Sequence, residues 1–582
     1  MRLRVIAVLA LVLVPTRAAI CAEQVEDGVF RKHVVVCQQG DAADVGRDVL
    51  RRGGNAVDAA IATAFALAVT HPAAGNLGGG GFLVAYDSAS KRVLTFDFRE
   101  MAPAAATDRM YLDSKDRLLS HYRAGARAAA VPGTVKGLAL AHSKLGKLPW
   151  ADLLSGPARL ASEGFVITPT LARSLNGQLF LATDRSGVPE DLGPEADRLA
   201  DFPSSVAAFR KPDGTQWAGG DRLIQGDLAE TLDRIARDGA DGFYKGRTAD
   251  LIVDYMGKND GLITSEDLVR YEARSVEPLH RTYRGHEVYG MAPPSSGGIV
   301  TLQALAILGR YDLRADGPTS PRTLHRVAEA MRRAFFSRAT EIADPAFVDV
   351  PVRKLISDRY ADELAATIGE RATPSASLAN FPIEGVEGQH TTHLSTIDGQ
   401  GNAVALTYTL EEGYGSKAVV AGAGFLLNNE MGDFNLIPGR TDVAGRIGTK
   451  PNLIQPGKRM ISSMTPTLVL KDGKVRVVTG SPGGRTIPNT TLWVLLNVLE
   501  FGRSPRDSVH APRTHHQWFP DVLRLEGNSW PEETLADLRS RGHKLQVGGI
   551  QGDAHTIIVD PATGLIHGIP DPRRQISKAS GD

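Results

Sequence analysis

Two threonines open a strand-like run, Thr391-Thr392-His393-Leu394-Ser395-Thr396-Ile397, directly after the turn-rich approach Gly388-Gln389-His390. A threonine hydroxyl is a weak nucleophile at neutral pH and needs a base beside it. If the peptide bond between His390 and Thr391 is cut, the liberated α-amine of Thr391 supplies that base on the same residue, with a pKa of about 8. Threonine pairs are also ordinary strand residues, so the other chemistry-bearing segments must decide.

Ser481-Pro482-Gly483-Gly484 follows an apolar strand pattern and precedes a predicted helix over Thr490 to Leu499. Its backbone N–H groups can converge on a developing oxyanion, although the same residues also make an ordinary glycine turn. Arg99 stands at a predicted strand end, where its fork can take a carboxylate bidentately or can pair at the surface with Asp97 or Glu100. In Asn428-Asn429-Glu430-Met431-Gly432-Asp433 two acids are three residues apart, and Glu411 closes the preceding hairpin strand. These acids can hold an ammonium group or sit as solvated loop residues; the spacing of a calcium loop is missing. Ser462 and Ser463 offer hydroxyl donors or plain turn chemistry. Gly78 to Gly81 lacks the Lys-Ser/Thr of a phosphate loop, and His510, His515 and His516 lack a zinc spacing. Neither a metal nor a cofactor is called for.

Several elements must position these groups. Val34 to Cys37 predicts a buried strand, Ala42 to Arg52 a helix stopped by Gly53-Gly54, and Asn55 a cap for the apolar helix Ala56 to Val69. Phe82 to Tyr86 and Val93 to Phe98 predict strands; Val135 to Leu145, Leu228 to Asp238, Thr301 to Leu308 and Thr323 to Thr340 predict helices. Ala372 to Gly388, rich in Pro, Ser and Gly, predicts an exposed linker. Beyond it, Asp398-Gly399-Gln400-Gly401-Asn402 joins two strands into a hairpin, and Lys471-Asp472-Gly473-Lys474 does the same for Thr467 to Leu470 and Val475 to Thr479.

The 582 residues carry 66 basic and 66 acidic side chains and are 42% hydrophobic, enough for a large core. That balance gives no electrostatic footprint for nucleic acid or an anionic membrane. Residues 1–22 follow a secretory pattern, with Arg2 and Arg4 before the apolar run Val5 to Val14, which is too short to span a bilayer. Export to the periplasm or medium is expected, and no later segment reads as transmembrane. The two cysteines, Cys21 and Cys37, form no disulfide framework.

Taken together, Gly53-Gly54-Asn55-Ala56-Val57-Asp58-Ala59-Ala60, Gly75-Asn76-Leu77-Gly78-Gly79-Gly80-Gly81, Phe98-Arg99-Glu100, Thr391-Thr392-His393, Asn428-Asn429-Glu430, Ser462-Ser463-Met464 and Ser481-Pro482-Gly483-Gly484 resemble the γ-glutamyltranspeptidase (glutathione hydrolase) family of N-terminal-nucleophile hydrolases. The resemblance covers nearly all of the mature chain. It implies an α+β fold, a four-layer αββα sandwich, made as a precursor that cuts itself between His390 and Thr391. A large subunit, 23–390, and a small catalytic subunit, 391–582, would then stay together as a heterodimer. By position, Thr391 is the nucleophile, Thr409 its hydrogen-bonding hydroxyl, and Gly483 with Gly484 the oxyanion hole. Arg99, Ser462 and Ser463 would bind the α-carboxylate of a small γ-glutamyl substrate, and Glu411, Glu430 and Asp433 its α-ammonium. An amine acceptor or water would resolve the acyl-enzyme.

Some family members carry asparagine and glutamine where this chain has Glu411 and Glu430, which predicts a stronger negative field and a stricter demand for a free α-ammonium. Pro438 to Gly457 matches the family's flexible active-site lid, with Ala444 where some members have an aromatic gate. Loss of Arg99 is expected to leave maturation intact and weaken substrate binding. Two rivals remain at this level: a glutaryl (cephalosporin-type) acylase of the same superfamily, and a periplasmic binding protein that never matures.

Overall fold

In Val34–Cys37, Val35 and Cys37 pack into one hydrophobic core while Val34 and Val36 pack into another. A strand apolar on both faces is a strand covered on both faces. The neighbouring strands repeat the split: Leu83 and Ala85 join the first core, Phe82, Val84 and Tyr86 the second. The computed structural model describes residues 27–180, 197–379, 391–574 and 576–582. The predicted leader, His390 and the 380–388 part of the predicted linker lie outside the described residues.

Two 7-stranded sheets face each other across the second core, and all their strand pairs are antiparallel. The first runs Lys578–Gly581, Val34–Cys37, Thr392–Ile397, Ala403–Thr409, Gly80–Asp87, Arg92–Phe98, Arg274–Val276. The second runs Gly28–Phe30, Ile566–Ile569, Thr556–Val559, Lys474–Thr479, Thr467–Lys471, His286–Gly290, Leu279–Tyr283. Helices Gly40–Arg51 and Ala56–Thr70 cover the outer face of the first sheet; Gly297–Leu308, Pro321–Glu341 and Ile487–Leu495 cover that of the second. This is the expected αββα sandwich.

Ala56–Thr70 is buried all round, as its lack of a polar face requires. Asn55 starts it: its side chain accepts from the N–H groups of Val57 and Asp58, and Asp58 returns a bond to the Asn55 N–H at 3.0 Å. Both predicted hairpins form, Thr392 pairing with Tyr408 and Thr467 with Thr479.

Two expectations are corrected. The helix after Gly484 starts at Ile487, not Thr490, because Gly484–Thr486 first makes a tight 3-10 turn. The described part of the predicted linker is not exposed at Ser375, which is fully buried: its N–H donates to Asp521 at 2.8 Å and its carbonyl accepts from the Trp518 indole at 2.8 Å. Pro and Ser signalled turns there, and a distant segment supplied the cover.

Candidate active site

Carrying the Thr392–Tyr408 register one step outward sets Thr391 opposite Thr409. The row continues across the sheet, since Thr409 pairs with Gly80, and Gly81 pairs with Phe98, so Arg99 comes next. Residues in one row point to one face, here the space between the sheets. Gly80 keeps the row passable: a Cβ there would lie 2.4 Å from the Phe98 carbonyl oxygen and 2.8 Å from the Glu100 carboxyl. A Cβ on Gly79 would lie 1.9 Å from the Thr409 carbonyl oxygen, which makes the glycine run a packing device.

Thr391, Thr409, Arg99, Glu411, Glu430 and Asp433 line one cavity. Ser462, Ser463 and Gly484 complete it from the second sheet's side, with Gly483 next in the chain. The structure therefore brings the sequence-predicted groups together, apart from His390. Gly483 and Gly484 hold φ of +126° and +51°, a backbone that favours glycine. Glu411 also has positive φ, +80°, and its N–H donates to Thr409 Oγ1 at 2.8 Å, tying an unusual backbone to the predicted nucleophile's neighbour.

Arg99 is fully buried, not a surface residue. Glu430 Oε2 lies 2.6 Å and Glu100 Oε2 3.2 Å from its Nη1, and Asp433 accepts from its Nη2. The carbonyls of Met460 and Ile461 take the remaining donors, at 3.3 and 3.2 Å. Asp97 is committed elsewhere, to Arg459 at 2.8 Å and Arg274 at 3.0 Å. Spacing explains the acids: Glu430–Asp433 is one 3-10 turn, in which side chains three apart eclipse, so both meet one guanidinium. Asn428 anchors that turn, donating to the carbonyls of Gly78 and Ala130 and accepting from the Glu430 N–H at 3.0 Å.

Burial pushes the Glu100 carboxyl up to about 7, against the pull of Arg99 and with the repulsion of Asp433. Burial likewise raises Glu430 well above the carboxylate range, helped by Glu100, Asp433 and Glu411. The stronger negative field expected from Glu411 and Glu430 is thus weakened by the raised affinity of Glu430 and its neighbour Glu100 for protons.

Sequence reasoning missed two arginines of the cavity, as well as Ile487. Arg338, on Pro321–Glu341, donates from Nη2 to Ser463 at 3.2 Å and from Nε to Ser296 at 3.0 Å. Arg485 donates to the Gly445 carbonyl at 2.6 Å, linking the glycine loop to the predicted lid segment. Arg485 had a signal in adjoining Gly484; Arg338 had none within its helix. That lid segment is folded on itself by Gly439 N–H to Gly448 and Asp442 N–H to Arg446, both 2.8 Å.

Among the described residues, His325, Glu329 and His543 bring metal-capable atoms within 4.8 Å. Glu329 is already held by Arg332, Arg333 and Thr373, and His325 Nδ1 hydrogen-bonds His543 Nε2 at 2.9 Å, so these atoms are engaged with one another and with arginines in a polar core.

The layered architecture is that of the N-terminal-nucleophile hydrolases. Residues 42–581 match the family described as gamma-glutamyltranspeptidase. The glutathione hydrolase proenzyme of Escherichia coli (strain K12) is 42% identical over 563 residues, 94% of this chain and 92% of that protein. A cephalosporin acylase from Bacillus halodurans superposes with a TM-score of 0.80 at 28% identity, covering 98% of this chain and 99% of that one. A chain of Helicobacter pylori gamma-glutamyltranspeptidase superposes at 0.54 with 39% identity, over 58% of this chain and 92% of that one. The chain belongs to the gamma-glutamyltranspeptidase family.

Proposed function

We propose that this protein is a self-processing γ-glutamyltransferase and glutathione hydrolase. It is exported to the periplasm or medium after removal of residues 1–22. The supporting observation is one cavity that joins Thr391 and Gly484 to a buried arginine ringed by acids. In the precursor the Thr391 hydroxyl attacks the His390 carbonyl, the acyl group passes from nitrogen to oxygen, and water hydrolyses the ester. The new carboxylate stays on His390 and the α-amine stays on Thr391. Subunits 23–390 and 391–582 remain joined because Thr392–Ile397, from one, lies between strands Val34–Cys37 and Ala403–Thr409, the former from the other subunit.

In turnover the free amine takes the Thr391 hydroxyl proton as oxygen attacks the γ-carbonyl. N–H groups of Gly483 and Gly484 stabilise the oxyanion, and the leaving amine departs with the proton. Thr409 hydrogen-bonds the nucleophile. Water or an amino-group acceptor then repeats the steps in reverse on the acyl-enzyme.

In the resting cavity the guanidinium of Arg99 is already held by Glu100, Glu430, Asp433 and the carbonyls of Met460 and Ile461. Binding must therefore rearrange it. Asp433 is the partner able to yield: its side chain is 32% exposed, against 0% for Glu100 and Glu430. The substrate carboxylate takes the place of Asp433 on Arg99, with Ser462 and Ser463 as further donors, and Asp433 turns to the α-ammonium beside Glu411 and Glu430. A glutaryl group lacks that ammonium and leaves the acids unpaired. Comparable kcat/KM for glutaryl and γ-glutamyl p-nitroanilides would overturn the reading; a large preference for the γ-glutamyl compound is expected. A denaturing gel of the purified protein is expected to show two chains, one beginning at Thr391.

The raised carboxyls give a pH signature. Burial raises both carboxyls, Glu100 to about 7 and Glu430 well above the carboxylate range, so as pH falls the pair takes up a proton that the incoming ammonium must displace, and KM for a γ-glutamyl donor rises by at most about tenfold per unit for one proton. Steady-state KM measured across this range is expected to show that rise, and Glu430→Gln to flatten it.

A further inference from the structure

Gly484 lines the Thr391 cavity and Gly483 precedes it, and neither backbone N–H donates to any group among the described residues. Glycine on either side lets a peptide plane flip, so two successive donors left open need something to hold them. The holding groups lie on the opposite edge of each plane. In a trans peptide the carbonyl and the N–H point in opposite directions, so an anchor on one residue's carbonyl orients the N–H of the next. The Pro482 carbonyl accepts from Ser481 Oγ at 2.6 Å, which turns the Gly483 N–H away from that hydroxyl. The Gly483 carbonyl accepts from Thr486 Oγ1 at 2.8 Å and from the Thr486 N–H at 3.0 Å, which does the same for the Gly484 N–H.

The anchors are themselves fixed. Ser481 is fully buried, and its Oγ accepts from the Asp553 N–H at 2.8 Å, which leaves the hydroxyl proton for the Pro482 carbonyl. Gly552, next to Asp553, permits that approach: a Cβ on it would lie 2.7 Å from Ser481 Oγ. A Cβ on Gly483 would lie 2.5 Å from Thr486 Oγ1, so glycine is needed there for the second anchor as well as for its positive φ. Neither Ser481 nor Thr486 lines the cavity, so each can act on it only through the backbone.

We propose that Ser481 and Thr486 are positioning residues, whose hydroxyls hold the 482–483 and 483–484 peptides so that the Gly483 and Gly484 N–H groups meet the oxyanion without reorganising. This rests on the γ-glutamyl reading of the Thr391 cavity and adds to it the parts that preset its charge-stabilising groups. Donors fixed beforehand favour the transition state over the bound substrate, so their loss appears in turnover rather than in ground-state binding.

The test uses the purified, processed protein with γ-glutamyl-p-nitroanilide as substrate and two competing ligands. L-Norvaline keeps the α-carboxylate and α-ammonium but has no γ-oxygen, so it reads ground-state binding alone. The analogue of glutamate with a boronic acid in place of the γ-carboxyl reads the oxyanion site: boron takes the Thr391 oxygen lone pair, the hydroxyl proton passes to the free α-amine, and the anionic tetrahedral boronate sets an oxygen where the oxyanion forms. Ser481→Ala is expected to lower kcat/KM at least about tenfold, short of the roughly 10²–10³-fold typical of deleting an oxyanion donor, and to weaken boronate inhibition by a similar factor. Thr486→Val should lower both by about fivefold, less because the Thr486 N–H still holds the Gly483 carbonyl, and Thr486→Ser should restore them. Norvaline inhibition should stay within about twofold throughout. Boronate and norvaline weakened alike would make the two residues general supports of the cavity and overturn the proposal, as would unchanged kcat/KM in both variants. Should Ser481→Ala yield no processed protein, the Thr486 pair carries the test, and a serine variant no better than valine overturns it. No turnover by the unsubstituted protein overturns the γ-glutamyl reading and the proposal with it; an active parent with indifferent variants overturns the proposal alone.

Discussion

Thr391→Ala is expected to accumulate as one uncut chain and to lose at least about 10⁴-fold in kcat. Both losses have one cause: without the hydroxyl, neither the His390 carbonyl nor a γ-glutamyl carbonyl meets an attacking oxygen. The change should spare the fold, because Thr391 precedes Thr392–Ile397 rather than lying within it, and the ladder bonds belong to the backbone. Thr391→Ser keeps the hydroxyl and should recover cleavage and turnover, more slowly where the missing methyl no longer restricts the rotamer. Gel mobility, N-terminal sequencing and release of p-nitroaniline read the three consequences separately. Cleavage at the 390–391 bond in the alanine variant would remove Thr391 from self-processing, while leaving its role in turnover to the kinetic assay.

Much of this arrangement is legible locally. The Asn55–Asp58 capping box, the Asp398–Asn402 turn and the alternation in Phe82 to Tyr86 lie within a few residues of the features they determine. The order of strands is not local: Thr392–Ile397 has Val34–Cys37 as one neighbour, more than 350 residues earlier, and no turn chemistry records such a pairing. Arg99 shows the same divide. Its sequence neighbours Asp97 and Glu100 made a surface ion pair plausible, whereas its burial comes from Glu430, Asp433, Met460 and Ile461, brought by other segments. Family motifs pointed to Thr391 and to the acids that line its cavity because they preserve position. They said nothing of Arg338, whose contact with Ser463 depends on how Pro321–Glu341 lies on the second sheet.

Arg99→Ala is expected to do more than weaken binding. It removes the cation from between two fully buried carboxyls, Glu100 and Glu430, and breaking a buried pair from one side costs about 3–5 kcal/mol. Without the arginine those carboxyls move further above their unfolded values, so the folded form binds protons more tightly than the unfolded chain. Stability must then fall as pH rises through the folded-state values, and the loss should be small near pH 5 and large near pH 8. Thermal melts at the two pH values check this sign; an equal loss at both would mean that the acids do not depend on Arg99. Adding Glu430→Gln removes one buried charge and should recover part of the stability. It should not recover the donor KM, expected to rise about 100-fold through loss of a charge-assisted carboxylate contact. Stability rescued without affinity would separate the two duties of Arg99, holding the acids in the resting enzyme and taking the substrate carboxylate when Asp433 lets go. Affinity rescued along with stability would leave Arg99 a structural residue alone.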